Sequence, residues 1–177
     1  VRGAAAYVGF CGQCDTLNKL GPTPNLFQNG LATNVGGTVA PEKGTSKGWH
    51  IAAAQGLPNR YLTSVAIDPR NPKNVFVTLG VYTRRWLPPG AVGDANTQIG
   101  TGHVFRSTDA GQTFTDVTGN LPDAPASWVA LRGDQLLVAT DVGAFASQTG
   151  GAYATPKFAP LKDIPATAVS SIPVKPG

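Results

Sequence analysis

Apolar positions in this chain alternate with polar ones over short stretches, and nowhere do they recur at the three-to-four-residue spacing of a long amphipathic helix. The alternating and β-branched runs are bounded by Gly, Pro, Asn and Asp. They predict strands at 5–10, 30–34 and 50–53, then 62–68, 74–79, 103–107 and 113–117, then 128–132, 135–140, 144–147 and 157–161, and finally 168–173. These fall into groups of three, four, four and one. The predicted class is all-β, built of four-stranded antiparallel units.

Repeated signals punctuate the groups in phase. Three turns that lead into apolar runs begin Leu57-Pro58, Leu121-Pro122 and Ile164-Pro165. Pro58 and Pro122 stand 64 residues apart, Pro122 and Pro165 43 apart, and the longer interval holds an extra stretch over 81–101. Without that stretch both intervals suit one four-stranded unit of about 40–50 residues. Between the last two strands of the second group lies the octet Ser107-Thr108-Asp109-Ala110-Gly111-Gln112-Thr113-Phe114. Ser107, Asp109 and Thr113 have short polar side chains suited to bonding the backbone of a tight hairpin. Gly111 suits a positive φ, and Phe114 returns the chain to the core. Decayed copies are read at Thr33 with Gly37, and at Ser147 with Gly151, each a hydroxyl residue followed four positions later by glycine.

The octet fits Ser-x-Asp-x-Gly-x-Thr-Phe, the Asp-box. Together with the order of proline turn, Asp68-Pro69-Arg70-Asn71-Pro72 and Asn74-Val75-Phe76-Val77, it resembles bacterial secreted Asp-box (BNR-repeat) β-propellers over about 57–151. The repeats look like those of xyloglucanase-type glycoside hydrolases and sialidase-like proteins. The resemblance implies a single propeller segment over 1–177, with a partial blade at 1–54, full blades at 55–118 and 119–161, and the first strand of a further blade at 162–177. It also implies a secreted, extracellular or periplasmic setting. Propellers close with about four to eight blades, so three blade equivalents imply either part of a larger propeller or two copies joined into a six-bladed ring. Sialidases of this kind carry an Arg-Ile-Pro segment and a Tyr-Glu pair. That segment is missing, and Glu42 is the chain's one glutamate, so sialidase chemistry is not expected. A xyloglucanase-like site would need two aspartates across a cleft, and this segment would hold at most part of it. The same repeats also serve in receptors and assembly factors, which leaves a non-enzymatic propeller that grips a protein as the alternative to a carbohydrate-binding or polysaccharide-hydrolysing one.

Composition agrees with short strands and many turns: 22 glycines, 15 prolines and 14% charged residues. The chain has no methionine, which suits a processed product or a piece of something longer. Apolar residues make up 41%, enough for a core, with no run of roughly 20 that would span a bilayer. The net charge of +4 comes from 14 basic residues scattered through loops. A mildly basic solvated surface is expected, not a nucleic-acid-binding one.

In a propeller, turns like the octet gather on one face and the blade-to-blade turns on the other. The octet face is read as carrying Asp109 and the 68–72 turn. The opposite face is read as collecting 11–28, 55–61, 81–101, 119–127 and Asp141, and a ligand site is expected there, because binding residues concentrate on loops held by a rigid scaffold. Tyr82, Arg84, Arg85 and Trp86 in the long insertion offer stacking surface and guanidinium groups suited to a sugar ring or a carboxylate, with Arg60 and Tyr61 nearby. Asp94, Asp123 and Asp141 are the carboxylates on that face, and an acid/base pair for glycoside hydrolysis would come from such positions. Cys11 and Cys14 form a Cys-x-x-Cys without the following helix that redox chemistry requires, and in a secreted protein they read as a local disulfide. Zinc would need two further ligands, and neither His50 nor His103 stands at a recognised spacing. Both histidines read as packing or surface residues, and no metal or cofactor is expected.

Overall fold

The computed structural model describes residues 5–12, 28–38, 45, 47–58, 60–82, 102–148 and 156–174. Among them are eleven strands in three antiparallel sheets and no helix. The first sheet holds β1 (Tyr7–Gly12), β2 (Gln28–Thr33) and β3 (His50–Ile51). The second holds β4 (Leu62–Ile67), β5 (Val75–Leu79), β6 (Val104–Ser107) and β7 (Thr115–Asp116). The third holds β8 (Ala126–Arg132), β9 (Gln135–Thr140), β10 (Gly143–Ser147) and β11 (Phe158–Pro160). Every strand pairs with its neighbour in the chain, as short turns dictate. No strand is shared between sheets, and no ring closes among the described residues.

The second sheet lies between the other two, which is why all five residues of β5 are buried. Its alternate side chains serve opposite cores. Val77 and Leu79 join Phe105, Phe114, Leu31 and Ala52 against the first sheet. Phe76 joins Val104 and Val117 with Ala126, Val129, Leu136, Val138 and Phe158 of the third.

The proline turns share one geometry. The amide two residues beyond each proline donates to the proline carbonyl, Arg60 to Pro58, Ala124 to Pro122 and Thr167 to Pro165, all at 2.8 Å. The strands that follow repeat a second device. β4 and β8 each carry an irregularity, between Leu62 and Ser64 and between Ala126 and Trp128, and the residue skipped is a hydroxyl one. Thr63 Oγ1 donates to the Ala126 carbonyl at 2.6 Å, and Ser127 Oγ donates to the Val169 carbonyl at 2.5 Å. Each bulge thus ties its strand to the residue four past the next proline.

Three expectations change. Residues 168–173 form no strand: Val169 N–H reaches the Thr140 carbonyl, but no neighbouring strand among the described residues completes a ladder, and Pro173 has no N–H to give. The 50–53 strand shortens to His50–Ile51 because the chain turns to the octet, where Ala54 and Gln55 donate to the carbonyls of Gly111 and Gln112 at 3.0 Å. The first decayed copy of the octet is shifted by one residue. Gly36, not Gly37, has the positive φ (79°) matching Gly111 (86°), so Ala32 and Asn34 stand where Ser107 and Asp109 do. Thr33 Oγ1 instead turns back to the Ala6 carbonyl.

The octet is closed by its own side chains. Asp109 Oδ1 accepts from Ser107 Oγ at 2.7 Å and from the Thr113 amide at 2.9 Å, Asp109 Oδ2 accepts from Thr113 Oγ1 at 2.6 Å, and Ser107 Oγ accepts from the Gly111 amide at 2.8 Å. A Cβ on Gly111 would meet Leu31 Cδ2 at 2.9 Å and Ala52 Cβ at 3.1 Å, so this turn is pressed onto the first sheet. Gly111→Ala is expected to lower stability by about 1–3 kcal/mol through the left-handed backbone and the overpacked contact. Urea unfolding checks this, and a loss below about 0.5 kcal/mol would mean that the contact relaxes freely.

Candidate functional site

At the end of the sheets opposite the octet, the turn before β4, the start of β6, the end of β7 and the turn before β8 converge. Their polar groups form one connected cluster. The β5–β6 ladder closes with the Leu79 amide on the His103 carbonyl at 2.9 Å, so the 81–101 insertion falls outside the ladder. Thr118 Oγ1 accepts from the His103 amide at 2.7 Å, and Asp116 Oδ1 accepts from the Thr118 amide at 2.8 Å. The His103 ring is buried and its Nε2 lies 2.8 Å from Asp123 Oδ1, a carboxylate whose side chain is 45% exposed. A carboxylate only accepts, so Nε2 carries the proton and donates. Burial holds the His103 pKa below its ordinary value, and the nearby Arg60 cation acts in the same direction. The hydrogen bond and negative charge of Asp123 oppose them without prevailing.

Arg60 lies beneath this pair. Among the described residues it is the largest fully buried side chain, at 1% exposure, and its guanidinium donates to the Gly102 carbonyl. Burial lowers its pKa, opposed by the charges of Asp123 and Asp116. Arg60 therefore supports the mouth from below, whereas its neighbour Tyr61 is half-buried at the mouth itself. Tyr61 accepts through its carbonyl from the Gly80 amide at 2.8 Å, and the Pro125 carbonyl accepts in the same way from the Asp141 amide at 3.2 Å. Asp141 is thereby placed, exposed, in the β9–β10 turn at the same end. Tyr82 is half-buried where the insertion departs.

Arg60, Tyr61, Tyr82, Asp123 and Asp141 all lie at this end of the sheets, and with them lies His103, whose sequence context suggests packing or surface. One signal for it was available. His103 follows Gly102 just before β6, and Asp123 stands in the next proline turn, so strand alignment places both at one end. Gln55, expected at this end, lies instead beside the octet, paired with Thr113. Asp94, Arg84, Arg85, Trp86 and Cys14 lie outside the described residues, and of Cys11 only the strand position is described, opposite Asn29. No group of three or more metal-ligating side chains occurs among the described residues, and no helix there is long and apolar enough to cross a membrane.

Because folding holds His103 neutral, it opposes protonation. The stability associated with the neutral ring is complete above the unfolded value near 6.5 and is lost as pH falls below it toward the lower folded pKa. The urea midpoint should therefore drop between pH 7.5 and 5, and His103→Gln should flatten that part of the profile. An unchanged slope in the variant would remove His103 as its source.

No family profile matches the chain. Over 65 residues it is 34% identical to the xyloglucanase Xgh74A of Acetivibrio thermocellus, and equally to a second Xgh74A sequence of that species. The matched stretch covers 33% of this chain and 6% of each relative, so the chain spans a small part of the proteins it resembles. Fold and similarity together show an all-β chain of repeated antiparallel sheets that is similar, over a third of its length, to part of a xyloglucanase.

Proposed function

We propose that the three sheets are blades of a secreted Asp-box β-propeller of glycoside-hydrolase-like type, and that the mouth around Tyr61, Tyr82 and Asp123 faces a polysaccharide. The observation that carries this reading is the placement, at one end of the sheets, of two half-buried tyrosines and a carboxylate held by a buried histidine, in a chain with partial similarity to a xyloglucanase. Tyrosine rings offer apolar faces for sugar rings, and an oriented carboxylate accepts from sugar hydroxyls. His103 has one nitrogen bonded to Asp123 and the other buried. It therefore acts on a ligand through Asp123, whose rotamer it fixes. Hydrolysis by the larger protein would need a second carboxylate across the cleft, and Asp141 and Asp116 are both described at the same end.

Binding of xyloglucan and its oligosaccharides, measured by calorimetry, tests the proposal. Tyr61→Ala and Asp123→Ala should each weaken binding about tenfold, equivalent to ~1.4 kcal/mol, in chains with unchanged thermal unfolding. Equal binding by both variants would remove this mouth as the site. A folded wild-type chain that binds neither xyloglucan nor other β-glucans, yet captures a protein through the same face, would replace the carbohydrate reading with an interaction role.

A further inference from the structure

At its octet end the third sheet carries an open cleft of about 500 Å³, lined from Gln135, β10 and β11. Val129, Leu136, Val138 and Phe158 point into the core shared with the second sheet, so the positions that alternate with them, Arg132, Gln135, Ala146, Lys157 and Ala159, face the other way. Further along that face Leu137, Ala139 and Ala144 are buried within the chain itself. Toward the octet end the cover stops: Ala146 is half-buried, and Gln148, Ala159 and Pro160 are exposed. The volume suits a small ligand, for which sites of about 300–1,000 Å³ are usual.

The second sheet shows why the space is empty. Arg106 precedes Ser107 as Ala146 precedes Ser147, and there the guanidinium lies over Phe76 and donates to Asn74 Oδ1 at 2.7 Å. Alanine at the matching place leaves that volume unfilled. A second exchange inverts the charge. Asp68 stands ten residues past Pro58 and Arg132 ten past Pro122. Asp68 finds its cation in Arg70, whereas Arg132 meets no carboxylate among the described residues, and the neighbouring Asp134 is engaged by Arg70. Gln135 holds Arg132 instead. Its Nε2 donates to the Ser147 carbonyl at 2.7 Å, and its Oε1 accepts from Arg132 Nε at 3.1 Å and from Arg132 Nη2. Those bonds use the Nε side of the guanidinium and leave open the fork between Nη1 and Nη2, which fits a carboxylate. The exposed Lys157 ammonium and the Gln148 side-chain amide have no partner among the described residues.

We propose that this cleft binds an acidic oligosaccharide through the carboxylates of its uronate residues. One carboxylate sits on the Arg132 fork, the sugar rings lie over Ala146, Ala159 and Pro160, the Gln148 amide bonds hydroxyls, and a second carboxylate meets Lys157. Arg132 and Lys157 flank the sheet on β8 and just before β11, three strand spacings or roughly 14 Å apart at Cα. A short uronate chain fits between them. The sheet edge argues against an acidic peptide in its place. A strand added beside β11 would need the outward main-chain groups, but Asn120 engages the Phe158 amide at 2.6 Å and the Phe158 carbonyl at 3.0 Å, and Pro160 has no N–H. The cleft lies at the far end of the sheets from Tyr61 and Asp123, and the inference does not depend on the mouth.

Calorimetry with trigalacturonate tests this, beside neutral maltotriose and an end-capped triglutamate peptide of the same charge. Trigalacturonate should bind with a Kd below about 1 mM, and the other two should not. Arg132→Ala and Lys157→Ala, both at exposed positions, should each weaken binding about tenfold with unchanged urea midpoints, and Arg132→Lys, which keeps the charge without the fork, should recover only part of the loss. Tyr61→Ala should bind as the wild type does, which separates this cleft from the mouth. No binding at millimolar trigalacturonate overturns the proposal. So does equal binding of maltotriose or triglutamate, unchanged affinity in either alanine variant of the cleft, or a loss in Tyr61→Ala.

Discussion

Truncation of Phe76 to alanine is expected to destabilise the chain by about 3–5 kcal/mol, the largest effect of any single substitution considered. The residue is fully buried at the centre of β5 and points from the second sheet into the third. Its ring fills the space among Val104, Val117, Val129, Leu136 and Phe158, and the Arg106 guanidinium lies 5.8 Å from its centroid. Removing it vacates a site with rigid strands on both sides, so little collapse can offset the cavity. Because this core joins the second sheet to the third, the loss should appear as a lower urea midpoint followed by intrinsic fluorescence, with Trp128 on β8 as the reporter in the third sheet. A cost under about 1 kcal/mol would show that the two sheets are not held together here.

The second large effect is expected at Asp68, whose carboxylate is 4% exposed and accepts four hydrogen bonds. The Arg70 amide donates at 2.9 Å, its Nε at 3.1 Å and its Nη2 at 3.2 Å, and Asn74 Nδ2 donates at 2.9 Å. Arg70 reaches onward to Asp134 in the β8–β9 turn at 2.5 Å, and Asn74 Oδ1 accepts from Arg106 Nε at 2.7 Å. One carboxylate therefore organises the turn and links the second sheet to the third. Asp68→Ala leaves the buried Asn74 amide without its acceptor and releases Arg70, at a cost of about 2–4 kcal/mol. Burial raises the Asp68 pKa, but the bonds from Arg70 and Asn74 outweigh it and hold the carboxyl below its ordinary 3.8. Its contribution is thus present above pH 3.8 and lost as pH falls through the lower folded value. Acid titration of the wild type should show this loss well below the window assigned to His103, and Asp68→Asn should remove it. An acid limb of unchanged steepness in the variant would count against the assignment.

Much of the architecture was legible because its signals are local. Proline turns, period-two alternation and the Ser107–Phe114 octet each specify backbone geometry within a few residues, and the ladders of the second and third sheets follow from them. Residues 33–37 were harder. Thr33 with Gly37 satisfies the spacing as well as Ala32 with Gly36 does, and only the positive φ at Gly36 decides. The mouth was legible as a place more than as a set of contacts. Asp123, Tyr61 and Asp141 follow from strand polarity, whereas the bond between His103 and Asp123 depends on where two turns 20 residues apart come to rest. The burial of Arg60 could not be read from its own segment, since a guanidinium sinks only when charges and carbonyls from other elements are waiting for it.

The clamp between Leu79 and His103 carries a consequence for how such chains diversify. Because the ladder is complete below Gly80 and Gly102, the stretch between them can lengthen, shrink or be exchanged without moving a single strand residue. A lineage, or an engineer, can therefore rewrite that stretch of sequence while Arg60, His103 and Asp123 keep their places at this end of the sheets.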